Sequence, residues 1–251
     1  MRTVAAPVEA EWVRVEPADV RGITVNGIPA TLEHVQKADV RVDLADEGER
    51  AFVVEHVLGP LGLCGVTGAR VVGTATAWDF ARPEHRICYS RGDGPDRVVG
   101  HPAGLPNPEI AAGIAEVGVV TDGPVRRRTV TETVQVSHAA GELTLKPRAR
   151  GQGLRFDVQL RGQRLGVEVD PAGETAASVV DAVSNSRTPY LTDSPHEGVV
   201  HSIADLVSDI AILGGLEDLV VTGELGEAYH AQTIGAAKAA HERGLVTDAH
   251  E

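Results

Sequence analysis

Residues 141–160 read GELTLKPRARGQGLRFDVQL, and this stretch decides the fold class. Polar and apolar side chains alternate with period two over 142–146 and again over 154–160, as expected for strands with one buried face. A segment rich in Gly and Arg separates the two runs. Residues 129–136 alternate in the same way. We therefore predict three antiparallel strands in this part of the chain.

The pattern changes toward the carboxyl end. Residues 201–213 place Ile203, Leu206 and Ile210 at helical spacing, which predicts an amphipathic helix. Further predicted elements are helices at 176–183 and 229–242 and a short strand at 219–222. Strands followed by helices indicate an α+β fold.

The amino-terminal part repeats this change from strands to helix. Residues 22–25 and 39–44 have strand character, and Asn26-Gly27 between them is a hairpin dipeptide. Apolar residues near a 3.6 spacing then predict a helix over 47–58 that Gly59-Pro60 disturbs at its end.

The turn formers Thr121-Asp122-Gly123-Pro124 mark the best boundary between two similar parts. Before it we predict a β stretch, a loop with short strands and a short helix, at 65–77, 82–104 and 108–117. The expected organisation is an amino-terminal α+β domain at 1–122 and a carboxy-terminal one at 123–251.

Composition limits the function classes. The 251 residues carry 23 Lys and Arg against 36 Asp and Glu, a formal net charge of -13, so the average surface would repel nucleic acid. No apolar run reaches the roughly 18 residues of a membrane span. The first residues lack the basic-then-apolar pattern of a signal peptide, so we expect a cytoplasmic protein.

Candidate metal ligands lie on the helix predicted over 201–213. His201 and Asp205 are four residues apart and point the same way on a helix, so they could bind one metal ion. Asp209 continues this polar row on an otherwise apolar helix, where buried charges need a partner. The alternative is a His and an Asp that share a solvated helix face by chance.

Two further segments carry ionisable pairs. Glu55 and His56 are flanked by apolar residues, and adjacent helical positions point about 100° apart, so one of the two must approach the buried side. His230 follows a turn at the start of the last helix and needs an acidic partner to stay protonated, for which Asp209 is suited. The alternatives are a core histidine beside a surface glutamate and an exposed histidine without a role.

These segments occur in an order that resembles the zinc-dependent UDP-3-O-acyl-N-acetylglucosamine deacetylases of lipid A synthesis. The quoted segments are VEHVLGPLGL at 54–63, RTVTETVQV at 128–136, GELTLKPRARGQGLRFDVQL at 141–160, SRT at 186–188, HSIADLVSDIAILG at 201–214 and EAYHAQTIGAAKAA at 227–240. The resemblance covers most of the chain and is weakest at 1–20 and 66–120. It implies two similar domains packed helix face to helix face, with the active site between them.

The resemblance also implies the role of each site residue. His56, His201 and Asp205 would bind zinc. The catalytic residues would be Glu55 as general base, His230 as the charged acid, Asp209 as its orienting partner and Thr188 as a hydrogen-bond donor to the oxyanion. Three N/O ligands leave an open position for a water molecule whose pKa zinc lowers to roughly 7.

Two departures from the family bear on the substrate. Only 12 residues, 189–200, separate Thr188 from His201, too few for the insertion that encloses a fatty acyl chain in the lipid A enzymes. The family's Lys after the zinc His is Ser202 here. We expect Arg187, Ser202 and the segment 189–200 to contact the substrate instead.

The expected activity is zinc-dependent removal of an acetyl or other small acyl group from an N-acetylated amino sugar or sugar-nucleoside metabolite, in a specialised pathway such as antibiotic biosynthesis. The partner is then a small molecule, with no nucleic acid and no membrane. The alternatives are a genuine lipid A deacetylase and a relative that binds zinc without catalysis. The sequence leaves the oligomeric state, the exact substrate and the role of 66–120 open, and a monomer is compatible with it.

Overall fold

The chain is described by a computed structural model, which covers residues 1–10, 13–39, 41–51, 54–73, 107–123, 127–138, 141–160, 162–169, 197–212, 218–226 and 228–249. Within these ranges the chain forms strands and α-helices in an α+β arrangement, as the sequence predicts. No helix in these ranges has both the length and the apolar content needed to cross a bilayer.

The amino-terminal half contributes ten strands, two α-helices and a short 3-10 helix at Leu32–His34 to the described part of the chain. The strands are β1 (Arg2–Val4), β2 (Val8–Ala10), β3 (Val13–Pro17), β4 (Gly22–Val25), β5 (Ile28–Pro29), β6 (Val35–Ala38), β7 (Val42–Asp46), β8 (Glu49–Ala51), β9 (Gly68–Gly73) and β10 (Val119–Thr121), and the helices are α1 (Glu55–Leu63) and α2 (Asn107–Val117). Five of the strands form a sheet in the order β2-β3-β9-β4-β5.

The carboxy-terminal half contributes seven strands and two helices to the described part. The strands are β11 (Arg127–Val130), β12 (Val134–His138), β13 (Gly141–Pro147), β14 (Leu154–Leu160), β15 (Gln163–Val169), β16 (Leu219–Leu225) and β17 (Val246–Ala249), and the helices are α3 (Glu197–Ile212) and α4 (Tyr229–Glu242). Its five-stranded sheet has the order β12-β13-β16-β14-β15.

The two five-stranded sheets have the same topology. Each contains two antiparallel hairpins, and the strand that follows the first described α-helix of the half inserts between them. The inserted strand is parallel to one neighbour, β9 to β4 and β16 to β14, and antiparallel to the other. The first and last strands of each half also pair with one another. The main difference in the described part is a small sheet, β6-β7-β8, that precedes α1.

Helices α1 and α3 pack directly against each other. The apolar cores meet at this contact, because Leu63 of α1 packs in the carboxy-terminal core while Ile212 of α3 packs in the amino-terminal core. Each fully buried aliphatic side chain stabilises the fold by about 1.5–3 kcal/mol before the entropy of ordering is subtracted. This contact holds α1 next to α3 and joins the two cores.

The helix predicted over 47–58 is wrong in its boundaries. Residues 42–51 form the hairpin of β7 and β8 instead. Glu47 and Gly48 have φ values of 43° and 94°, the left-handed pair that closes a two-residue hairpin turn. The helix begins at Glu55 and continues through Pro60 to Leu63, because burial of its leucines compensates for the hydrogen bond that the proline cannot donate.

The single strand predicted over 129–136 is also wrong. Residues 131–133 interrupt it, so β11 pairs with β17 at one side while β12 pairs with β13. The run at 154–160 is a strand, but it does not pair with β13, because β16 lies between them. Alternation identifies a strand and its buried face and cannot identify its neighbour.

Other predicted elements agree more closely with the structure. The hairpin at Asn26-Gly27, the short helix near 108–117 and the helix at 229–242 are confirmed. Strand β9 covers part of the stretch predicted at 65–77. The predicted helix at 176–183 and the loop at 82–104 lie outside the described residues.

Candidate functional site

The first turn of α1 is attached to the sheet beside it. Glu55 Oε2 accepts a hydrogen bond of 2.9 Å from the backbone N–H of Val42 in β7. Glu55 and His56 each expose only 1% of their surface. The sequence required only one of these two side chains to approach the buried side. In the structure both are buried.

Helix α3 brings two carboxylates to the same region. Asp205 and Asp209 lie one turn apart and are 1% and 0% exposed. Their neighbours Leu206 and Ile210 are also buried, so α3 is enclosed on more than one face. His201 lies one turn before Asp205 in this helix, and its side chain is not among those the structure describes.

Helix α4 supplies the counterpart of these acids. His230 is 1% exposed, and its Nδ1 lies 3.1 Å from both carboxylate oxygens of Asp209. The other ring nitrogen, Nε2, lies 3.6 Å from Asp205 Oδ2. One imidazole thus joins the two aspartates of α3, and its Nδ1 contacts the residue expected from the sequence.

Tyr229 also belongs to this cluster, and sequence reasoning missed it. Its hydroxyl donates a hydrogen bond of 2.5 Å to Asp205 Oδ2. Its ring centroid lies 4.6 Å from that of His230, with the planes tilted by 41°. The sequence offered one indication of this role. Tyr229 precedes His230 in the first turn of α4, where consecutive side chains can reach the same neighbouring helix.

Burial and charge shift the pKa values of the cluster. Burial raises the pKa of Glu55 to about 8, against the opposing effect of the His230 charge. Burial raises the pKa of Asp209 to about 6, although His230 lowers it. Burial lowers the pKa of His230, but Asp209, Asp205 and Glu55 outweigh this effect and raise it to about 10. At neutral pH His230 is therefore an imidazolium paired with the Asp209 carboxylate.

The composition of the cluster fits a divalent cation. Glu55, Asp205 and Asp209 each carry a carboxyl group, and the imidazolium of His230 pairs with that of Asp209. Glu55 Oε1 is buried and has no hydrogen-bond partner among the described residues. Oxygen and imidazole donors are suitable ligands for zinc. Within the described side chains, which leave out His201, no three His, Cys, Asp or Glu residues form a complete metal-binding group.

Of the remaining predicted site residues, the structure describes Ser202 but not Arg187 or Thr188. Ser202, expected to contact the substrate, is 1% exposed on α3. Arg187 and Thr188 lie outside the described residues.

No protein-family model and no curated protein sequence matches this chain.

Proposed function

We propose that the protein is a zinc-dependent hydrolase that removes an acetyl or similarly small acyl group from an N-acetylated amino sugar or sugar-nucleoside metabolite. The observation that carries this proposal is a set of buried ionisable side chains from three helices. His230 contacts Asp205 and Asp209, Glu55 interacts electrostatically with His230 and Asp205, and His56 lies next to Glu55. Burying so many charges costs several kcal/mol per uncompensated ion, so a cluster of this kind needs a functional reason.

The residues that would hold zinc are His56, Asp205 and, by its position one turn before Asp205, His201. Bound zinc would polarise the scissile carbonyl and make a water molecule acidic. The imidazole of His56 and the carboxyl group of Asp205 are donor types that suit zinc and support this assignment. The family resemblance implies the full set of three ligands.

Glu55 would act as the general base. Its pKa of about 8 lies near the working pH, where a carboxylate both accepts a proton readily and releases it again. The hydrogen bond from Val42 holds one carboxylate oxygen and leaves Oε1 available toward the substrate. Glu55 would take the proton of the attacking water.

His230 would act as the general acid. Because Nδ1 is occupied by Asp209, Nε2 is the ring atom that can donate a proton to the leaving amine. The Asp209 carboxylate keeps the ring charged at neutral pH, so it can also stabilise a developing oxyanion. Thr188 would add a hydrogen bond to that oxyanion.

The substrate class follows from the short connection before α3. Only 12 residues, 189–200, separate Thr188 from His201 in the sequence. A fatty chain contributes about 0.8 kcal/mol of binding per CH₂ only where it is buried, and 12 residues are too few to enclose one. We therefore propose a substrate without a long acyl chain, recognised in part by Arg187. The site would lie between two domains, 1–122 and 123–251, packed helix face to helix face in a cytoplasmic protein.

The test combines zinc content with acetate release from a panel of N-acetylated sugars and sugar nucleosides. We expect wild-type protein to bind one zinc and release acetate, and Glu55→Gln to keep the zinc while losing about 10²–10⁴-fold in rate. Glu109→Gln is the matched control, because Glu109 is also a glutamate in the first turn of a helix.

Three results would contradict the proposal. Zinc without release from any substrate would favour a non-catalytic relative. Full activity in zinc-loaded Glu55→Gln would remove Glu55 from the mechanism. Release that is a hundredfold faster from a sugar with a long 3-O-acyl chain would favour a lipid A deacetylase.

A further inference from the structure

We infer that Tyr229 is a positioning residue that holds the Asp205 carboxylate in the orientation needed to bind a divalent cation. The inference rests on the proposed function, because Asp205 is one of the proposed zinc ligands. It adds a residue that the family resemblance did not supply.

The contact between Tyr229 and Asp205 is short and buried. The distance of 2.5 Å from the hydroxyl to Asp205 Oδ2 lies in the range of charge-assisted O–H···O⁻ hydrogen bonds, which are roughly twice as strong as neutral ones. Asp205 is 1% exposed, so little water competes for this oxygen. The tyrosine therefore controls one defined atom of the carboxylate.

The hydroxyl is itself held in place by packing. Tyr229 packs against the apolar core of the carboxy-terminal half, and its ring also contacts the ring of His230. A tyrosine has two side-chain torsions, and fixing the ring leaves the hydroxyl little freedom. The core thus positions the hydroxyl, and the hydroxyl positions the carboxylate.

Two consecutive residues act on the same oxygen. The Tyr229 hydroxyl bonds Asp205 Oδ2, and Nε2 of His230 lies 3.6 Å from that atom. The Asp209 carboxylate holds the imidazole through Nδ1, so both groups that face Oδ2 are fixed. Hydrogen bonds to a metal-binding carboxylate typically change metal affinity by about 10- to 100-fold. Tyr229 should therefore affect metal affinity without being a ligand.

The decisive variant is Tyr229→Phe, which removes the hydroxyl and retains the ring that packs in the core. Ser208→Ala is the matched control, because it deletes a buried hydroxyl on α3 that has no hydrogen-bond partner among the described residues. Zinc affinity is measured by competition with a chromophoric chelator. The free energy of unfolding of each metal-free protein is measured alongside.

We expect Tyr229→Phe to bind zinc about tenfold or more weakly than wild type, and Ser208→Ala to bind it as wild type does. Co²⁺ in place of zinc gives a second readout, because a change in ligand orientation alters its visible absorption spectrum. We expect a changed spectrum for Tyr229→Phe only. A purely structural role would lower the free energy of unfolding and leave both the affinity of the folded protein and the Co²⁺ spectrum unchanged.

The outcomes separate this inference from the proposed function. Wild-type protein that binds no zinc overturns both. If wild type binds zinc and Tyr229→Phe binds it equally or more tightly, the role of Tyr229 is overturned and the proposed function stands. If zinc is bound and weakened by Tyr229→Phe but no acetate is released, the positioning role stands and the deacetylase activity fails.

Discussion

Helices α2 and α4 occupy equivalent places in the two halves, yet they bury opposite kinds of side chain. Each follows the strand that inserts into the five-stranded sheet, β9 or β16. Among the described side chains of α2, the buried ones are Ile110, Ala111 and Ile114, which are all apolar. The side chains that α4 buries near its start are His230, Gln232 and Thr233.

The difference shows how one topology can serve either packing or chemistry. The polar residues of α4 are tolerated because each has a partner: Asp209 for His230, the backbone N–H of Gly226 for Gln232 and the Tyr229 carbonyl for Thr233. Buried polar groups without such partners would cost about 1–3 kcal/mol each. Helix α1 combines both kinds of buried side chain, since it begins with the ionisable residues Glu55 and His56 and continues with buried leucines.

The largest effect should follow from replacing His230 on α4. We expect His230→Gln to reduce kcat by about 1,000-fold, or roughly 4 kcal/mol of transition-state stabilisation, because the proton donor to the leaving amine is lost. Zinc content should be unchanged. Steady-state kinetics on zinc-loaded protein checks this, and a loss below about tenfold would place α4 with α2 as a packing helix.

The corresponding change on α2 should affect stability alone. Ile110 is fully buried, and Ile110→Ala should lower the free energy of unfolding by about 2–5 kcal/mol through the cavity it leaves. Denaturant titration measures this. The kcat of the folded variant should match wild type at a temperature where the variant is native, and a large loss of kcat would remove the distinction between the two helices.

A smaller effect is expected from Asp209→Asn. The amide cannot balance the charge of His230, so the pKa of the histidine should fall and kcat should drop by about 10- to 100-fold. The measurement is the pH dependence of kcat, whose alkaline limb should move to lower pH in the variant. An unchanged limb would show that Asp209 does not set the charge of His230.

The last prediction concerns pH and the metal-free protein. The pKa of His230 is raised to about 10 in the folded state, against about 6.5 when unfolded, so its stabilising contribution is complete below pH 6.5 and lost as the pH rises through 10. The stability difference between wild type and His230→Gln should therefore change over this range. The difference between wild type and Ile110→Ala should stay constant, since no charge is involved. Unfolding titrations at several pH values in the presence of a chelator measure both stability differences. A difference for His230→Gln that does not change with pH would contradict the charge pairing of His230.

Much of the local structure could be predicted from the sequence. The helix over Tyr229–Glu242, the strand over Leu154–Leu160 and the turn at Asn26-Gly27 follow from periodicity and turn chemistry, which depend on neighbours in the chain. The candidates Glu55 and Asp209 were found because ionisable residues interrupt apolar patterns, and His230 was found because it follows a turn at the start of a helix. Tyr229 was not found, because its role depends on a distant carboxylate.

Long-range relations were decided by the tertiary structure. Alternation in 141–160 determined two strands, but only the packed sheet places β16 between them. The helix spacing determined that Asp205 and Asp209 share one side of α3, but the contact of α3 with α1 and α4 determined that both acids are buried beside His230. The reason is physical: side-chain periodicity is set by local backbone geometry, whereas burial, pKa shifts and hydrogen-bond partners depend on which surfaces pack together.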